Sequence, residues 1–493
     1  MIGRRLAAFA ALIGFSLLHS VASPTIERVS SLALRPARAT EVTLFGSDLG
    51  ETVSLWLSVP GQAALVGPGP GEKEVTFRVM LEAGAAGVCW ARVVSSNGVS
   101  NVRGFVIDDS GSVAGSRTNR SRATAQSLVL PCAVEGVTEE LAVSWWNLSA
   151  KKNERVSIEV TAMRLGSRMD SFLRVLDMKG SEVISNDDAP GLRGDSALTF
   201  TAKEAGDYFV ELRDINYAAG RDYFYRLRVS RELLSRNVSI ASSHPVIAER
   251  EPNGTTKLAT EITLPCGIDG RFDASGDLDV FKFSAQSKQA IQFLARTRSI
   301  NSGCDVSLRI ENSRGELLAK SNVSAADEGV VRHTFAADGE YRLLVNEANG
   351  ASGPPAFYRI EAREAPEFTL SVDVEKVEAP FNGSFQLKVN CARGGFKDPI
   401  FVSVPDFPAL TVASNVIPRG ATNVTVKVSL SPNLRTGTAH RFQVVGMAAS
   451  RSNAPVVANT TAAWQKGFPQ MLHVPAPLES FITLGVTSAA ADK

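Results

Sequence analysis

One part of this chain recurs in matching order further along, and that repeat limits what the chain can build. Pro131-Cys132-Ala133-Val134-Glu135-Gly136 comes back as Pro265-Cys266-Gly267-Ile268-Asp269-Gly270. Leu173-Arg174-Val175, with Gly180 just beyond, comes back as Leu308-Arg309-Ile310 with Gly315. Thr199-Phe200, Gly206-Asp207-Tyr208 and Tyr225-Arg226-Leu227 find partners in Thr334-Phe335, Gly339-Glu340-Tyr341 and Tyr358-Arg359-Ile360. The offset stays within 133 to 135 residues throughout. A spacing held that steadily means one folding unit occurs twice, each copy with a core of its own.

The local pattern says what kind of unit it is. Apolar and polar residues alternate with period two in Val42-Thr43-Leu44-Phe45, Val53-Ser54-Leu55-Trp56-Leu57, Phe281-Lys282-Phe283 and Val424-Thr425-Val426-Lys427-Val428. Gly, Asn, Asp and Pro punctuate these runs. Short half-buried strands between turns are the signature of antiparallel sandwiches. No long stretch shows the apolar period of a helix. The expected fold class is all-β, with tandem β-sandwich modules.

The N-terminus reads as an export signal. Arg4 and Arg5 precede an apolar run from Leu6 to Leu18, and Ser20-Val21-Ala22 supplies small residues for cleavage after Ala22. The run is shorter than the roughly 20 residues a membrane span needs, and no later run is long enough. We therefore expect a secreted, periplasmic or cell-surface protein with no transmembrane segment after signal removal. The 52 basic and 51 acidic residues balance, which argues against a nucleic-acid partner, since phosphates call for a basic face. Cys89, Cys132, Cys266, Cys304 and Cys391 are too few and too scattered for a disulfide framework or a zinc site. They read as buried apolar residues, with Cys266 and Cys304 as one pair that could bond within a module.

Both repeats resemble the bacterial pre-peptidase C-terminal domain, a jelly-roll-like sandwich that accompanies many secreted peptidases. The second copy carries the fuller pattern: Glu249-Arg250-Glu251-Pro252-Asn253, Gly276-Asp277-Leu278-Asp279-Val280-Phe281-Lys282-Phe283, Asp338-Gly339-Glu340-Tyr341 and Phe357-Tyr358-Arg359. The first copy departs from it, with Ala142 and Ser144 where the second has Asp277 and Asp279. Ahead of the repeats, Thr43-Leu44-Phe45-Gly46-Ser47-Asp48-Leu49 and Ser96-Asn97-Gly98-Val99-Ser100-Asn101 resemble an immunoglobulin-like module of the IPT/TIG kind. The whole order is similar to that of secreted proteins of planctomycete-type bacteria. The expected organisation is a signal peptide over 1–22, the IPT/TIG-like module over 23–110, and the repeats over 115–231 and 247–364. An immunoglobulin-like sandwich over 366–464 and an unplaced tail over 465–493 complete it. The short linkers, such as Ser110 to Ser121 and Ser239 to Pro245, suggest a semi-rigid rod.

Three features could carry chemistry. Gly194-Asp195-Ser196 looks like a hydrolase serine, but Ala197 and Leu198 follow it and none of His244, His333, His440 and His473 lies in its module. A serine nucleophile needs a histidine base within reach, so we expect no catalytic centre. Asp273, Asp277 and Asp279 form an acidic loop before the Phe281 strand. Spaced aspartates can bind calcium or simply bond local backbone amides. The family resemblance implies calcium ligands partly in the preceding linker, where Glu249 and Glu251 stand. Finally, Trp145-Trp146 puts two indoles on opposite faces of a strand. Trp146 matches Phe281, a core position. Trp145 is read as matching Lys282 and facing water, where it would stack on a sugar or anchor a partner. The expected function is non-catalytic binding or adhesion to a carbohydrate or extracellular protein. The alternative is an accessory subunit that docks or stabilises a separate secreted hydrolase. No cofactor is expected other than calcium.

Overall fold

The computed structural model describes residues 22–50, 53–67, 71, 73–231, 244–322, 328–353, 355–448, 451–468, 471, 473–488. The proposed signal peptide lies outside the described residues except for Ala22. So does most of the linker from Ser239 to Pro245. Nearly every element is a strand, as the period-two pattern requires. The described residues hold one α-helix, Thr461–Gly467.

The two repeats fold alike, strand for strand. In the first, one sheet runs Ser112–Ala114, Cys132–Val137, Phe224–Ser230, Arg155–Thr161, Ala197–Thr201. The facing sheet runs Gln126–Ser127, Ser144–Ala150, Gly206–Asp214, Ser171–Leu176, Glu182–Asn186. The second repeat follows the same order. Its sheets are Val246–Ala248, Cys266–Arg271, Phe357–Glu364, Ala290–Arg296, Val330–Thr334 and Thr260–Glu261, Leu278–Ala285, Gly339–Glu347, Val306–Asn312, Leu317–Lys320. Register agrees as well: Gly136 lies opposite Tyr225, and Gly270 lies opposite Tyr358. Each sandwich closes over its own core. Trp146, Val210 and Leu227 sit in the first, and Phe281, Phe283, Phe293 and Phe335 in the second. Cys266 and Cys304 are both buried free thiols, as are the other three cysteines.

A sandwich precedes the repeats and another follows them. The first pairs Thr25–Val29, Thr40–Ser47, Glu74–Leu81 and Gly61–Val66 in one sheet, with Val53–Leu57, Val88–Ser95 and Arg103–Ile107 in the other. The last is completed from the unplaced tail. Ile482–Thr487 inserts between Lys376–Pro380 and Ala439–Phe442, and Ile482, Leu484 and Val486 are buried in that core.

The rod expectation is corrected by the contacts between modules. The last sandwich folds back onto the first. Arg92, buried in the first, pairs with Glu375 of the last at 2.8 Å. Val99 N donates to Glu378 Oε1 (2.8 Å), and Lys376 Nζ donates to the Val99 carbonyl (2.6 Å). Between the sandwiches, Trp464, Met471, Val474 and Leu478 pack on Trp56, Trp90 and Val102. The same segment touches both repeats: His473 O accepts from Arg193, and Glu479 pairs with Arg296 at 2.6 Å. Apolar side chains in the tail gain more by burial than by hanging in water, at roughly 25 cal/mol per Å², and short linkers let the chain reach that arrangement.

Candidate metal centre

The second repeat brings together oxygen atoms from two elements far apart in sequence. Glu249 and Glu251 lie just after Val246–Ala248, which pairs in parallel with Cys266–Arg271. Asp279 lies at the start of the Leu278–Ala285 strand. There it is in phase with Phe281, Phe283 and Ala285, all buried core residues, so period two aims its carboxylate into the end of the core. The ligand atoms of Glu249, Glu251 and Asp279 all lie within 4.8 Å of one another.

A tyrosine ties the group together. Tyr358 Oη donates to Asp279 Oδ2 at 2.5 Å and stands 3.1 Å from Glu249 Oε2. Arg271 N donates to Glu249 Oε1 (2.6 Å), and Asn253 N donates to Glu251 Oε2 (3.1 Å). Gly270 makes room for the ring. A Cβ there would stand 2.2 Å from Tyr358 Cζ and 2.6 Å from Glu249 Oε2.

The electrostatics are those of a site short of positive charge. Burial pushes the Asp279 carboxyl up to about 8, and the nearby Glu249, Asp277 and Glu251 push the same way against the Tyr358 hydrogen bond. Burial likewise raises Glu249, with Glu251 and Asp273 adding to it. Burial and the two acids hold Tyr358 well above its ordinary value. Two fully buried side chains are also left with unspent polar atoms. Asp279 and Asn253 are both 0% exposed. Asp279 Oδ1 and both Asn253 side-chain atoms, Oδ1 and Nδ2, have no hydrogen-bond partner among the described residues. A buried polar atom without a partner costs roughly 1–3 kcal/mol. The donors present fit a hard divalent cation: three carboxylates, with no soft ligand among them. Glu249, Glu251 and Asp279 are the residues that would hold it.

The other two acidic candidates fall outside the cluster. Asp277 Oδ2 accepts from Asp273 N (2.8 Å) and its Oδ1 from Leu278 N (3.0 Å). Asp273 pairs with Arg271 at 2.8 Å. Both serve the loop itself. The acidic loop thus divides at Leu278, with only its last aspartate reaching the site. Asn253, fully buried with its side chain unpaired among the described residues, was not singled out by sequence reasoning.

Trp145 needs a correction. Strand register puts it level with Val280, not Lys282: Trp146 lies opposite Val210 and Phe281 opposite Leu343, with Ala150 and Ala285 opposite Gly206 and Gly339. Asn147 is the counterpart of Lys282. Trp145 does point away from the core that holds Trp146, but it is half-buried. Asn119 of the preceding linker bonds its backbone on both sides: Trp145 N donates to Asn119 O, and Asn119 Nδ2 donates to Trp145 O, each at 2.9 Å. Its neighbours on that face already have cationic partners from the same chain. Arg122 covers Phe209, and Arg213 lies between Phe172 and Tyr217 at 4.2 and 4.6 Å.

Ser196 is fully buried. Its Oγ lies 2.7 Å from Ser171 Oγ, and Asp195 beside it pairs with buried Arg164 at 2.7 Å.

No family model and no curated protein matches this chain. Among solved structures, it is similar to the pre-peptidase C-terminal domain of a collagenase from Bacillus anthracis. Identity there is 17%, over 23% of this chain and 100% of that one, with a TM-score of 0.18. The D0-D1 domain of intimin is 13% identical over 38% of this chain and 96% of that one, with a TM-score of 0.17. A Clostridium perfringens ZmpB structure, with an M60 catalytic domain and two CBM51 domains, is 9% identical over 69% of this chain and 43% of that one, at 0.16. Such scores carry no argument about activity. No helix among the described residues is long and apolar enough to cross a membrane.

Proposed function

We propose that this chain is an exported, non-catalytic binding protein whose second repeat is fixed in shape by a calcium ion. The observation that carries the metal reading is the meeting of Glu249 and Glu251 with buried Asp279, whose Oδ1 has no partner among the described residues. Glu249 and Glu251 sit on the linker and Asp279 within the sandwich. A cation there would neutralise the crowded carboxylates and fasten the linker to the sandwich. Binding that favours the folded state raises stability by mass action.

The export reading rests on the leader sequence. The binding reading rests on the β-sandwich architecture and on the absence, among the described residues, of a histidine from the hydrogen bonds of Ser196. The partner would be a carbohydrate or an extracellular protein, and the accessory-subunit reading uses the same surfaces. Trp145 supports sugar stacking through its outward direction alone, and its half-burial narrows the area it can offer.

Calcium titrated into the chelator-treated protein should raise the melting temperature, and Glu251→Gln or Asp279→Asn should remove that response. A melting curve indifferent to calcium in the unaltered chain, with no heat of binding by calorimetry, would end the metal reading.

A further inference from the structure

The two repeats share one backbone, so the fate of the cation site in the first copy can be read residue by residue. Ser112–Ala114 and Val246–Ala248 pair identically with their neighbours, at Ser112 with Ala133 and Val246 with Gly267. Counting on from these strands, Gly115 stands for Glu249, Arg117 for Glu251 and Asn119 for Asn253. From the Ser144–Ala150 register, Ser144 stands for Asp279. Every carboxylate of the site is therefore gone from the first copy. Its frame is kept. Tyr225 replaces Tyr358 opposite Gly136, and a Cβ on Gly136 would stand 2.6 Å from the Tyr225 hydroxyl. Asn119 is fully buried, like Asn253.

What stands there instead is a guanidinium. Arg120, which takes the place of Gly254, donates from Nη1 to Ser144 Oγ at 3.4 Å. Its Nη2 pairs at 2.5 Å with Glu139, the counterpart of Asp273. We infer that the first repeat carries its own cation, the Arg120 side chain, where the second repeat takes a metal ion. This rests on the calcium reading of the second repeat. The charge logic is consistent. Where three carboxylates converge, position 254 is a glycine and brings no charged side chain. Where they are absent, the same backbone position supplies a positive group, which a guanidinium can hold through directed hydrogen bonds. One repeat is then stable whatever the calcium level, and the other answers to it. The chain would take one calcium ion and respond at one end of its repeat pair.

A double-substitution cycle on the full chain tests this. Ser144→Asp alone should be tolerated or stabilising, because the new carboxylate meets Arg120. Ser144→Asp with Arg120→Gly should lower the melting temperature by several degrees. Adding Gly115→Glu and Arg117→Glu to that pair should let calcium restore it, and calorimetry should then count two ions per chain against one for the unaltered protein. Ser144→Asp destabilising equally with and without Arg120 would overturn the inference. So would a calcium count unchanged by the four substitutions in a folded variant. If the unaltered chain takes no calcium, the reading of the second repeat fails. The Ser144–Arg120 cycle still decides, in metal-free buffer, whether Arg120 does a cation's work.

Discussion

At the scale of single residues, what matters here is which polar groups are buried and what they meet. Asp279 and Ser144 occupy one position in two copies of a fold, and each is matched to its surroundings: the first to a cluster of acids, the second to a guanidinium. His440 shows the same principle in the last sandwich. Its ring stacks on Phe407, with centroids 4.9 Å apart, and its Nε2 lies 2.8 Å from Thr438 Oγ1. Burial pushes its pKa down. The unfolded chain therefore takes up a proton as pH falls through about 6.5, before the folded one does. Stability is held above that pH and lost below it. Between about pH 7 and about pH 5 the melting temperature of the unaltered chain should fall relative to that of His440→Gln, which cannot titrate. His333 and His473, which burial also lowers, add to the same trend, and Asp279, pushed up to about 8, opposes it. A slope unchanged in the variant would show that His440 contributes nothing to it.

At the scale of elements, period two explains both what the sequence revealed and where it misled. Trp145 was placed two residues out of register. A slip of two keeps the face, so its direction away from the core was right while its counterpart was wrong. The acidic loop was read as one group because sequence adjacency hides phase. Only Asp279 shares the phase of Phe281 and Phe283, and a charge on the apolar phase of a strand was the legible sign of a site. The Gly–Tyr pairs across neighbouring strands are a second such unit. Gly270→Ala should push Tyr358 off Asp279 and Glu249, costing about 1–3 kcal/mol by overpacking and weakening calcium binding. Gly136→Ala should cost stability in the first repeat and leave calcium binding unchanged. Equal loss of calcium binding in both variants would show that the tyrosine does not order the ligands.

At the scale of the whole molecule, the segment holding Trp464, Met471, Val474 and Leu478 closes the chain on itself. Trp464 is 1% exposed, and the Arg92 guanidinium lies 5.0 Å from its ring. Trp464→Ala should cost about 3–5 kcal/mol and loosen the last sandwich from the first. Small-angle scattering should show a larger radius of gyration, and limited proteolysis should cut near residue 464. An unchanged radius with unchanged proteolysis would mean that the polar contacts around Arg92 and Lys376 suffice. The sequence by itself determined the strands, the repeat and the separate cores, because these follow from local alternation and from a register repeated along the chain. It also located Glu249, Glu251 and Asp279 as candidates. Only the tertiary structure decided that Asp273 and Asp277 stay out of the cluster and that Arg120 stands in the first copy. It also decided that the tail completes the last sandwich and clasps the first. Each of these depends on a meeting of residues distant in sequence, and nothing in a local pattern says which distant face a buried group will find.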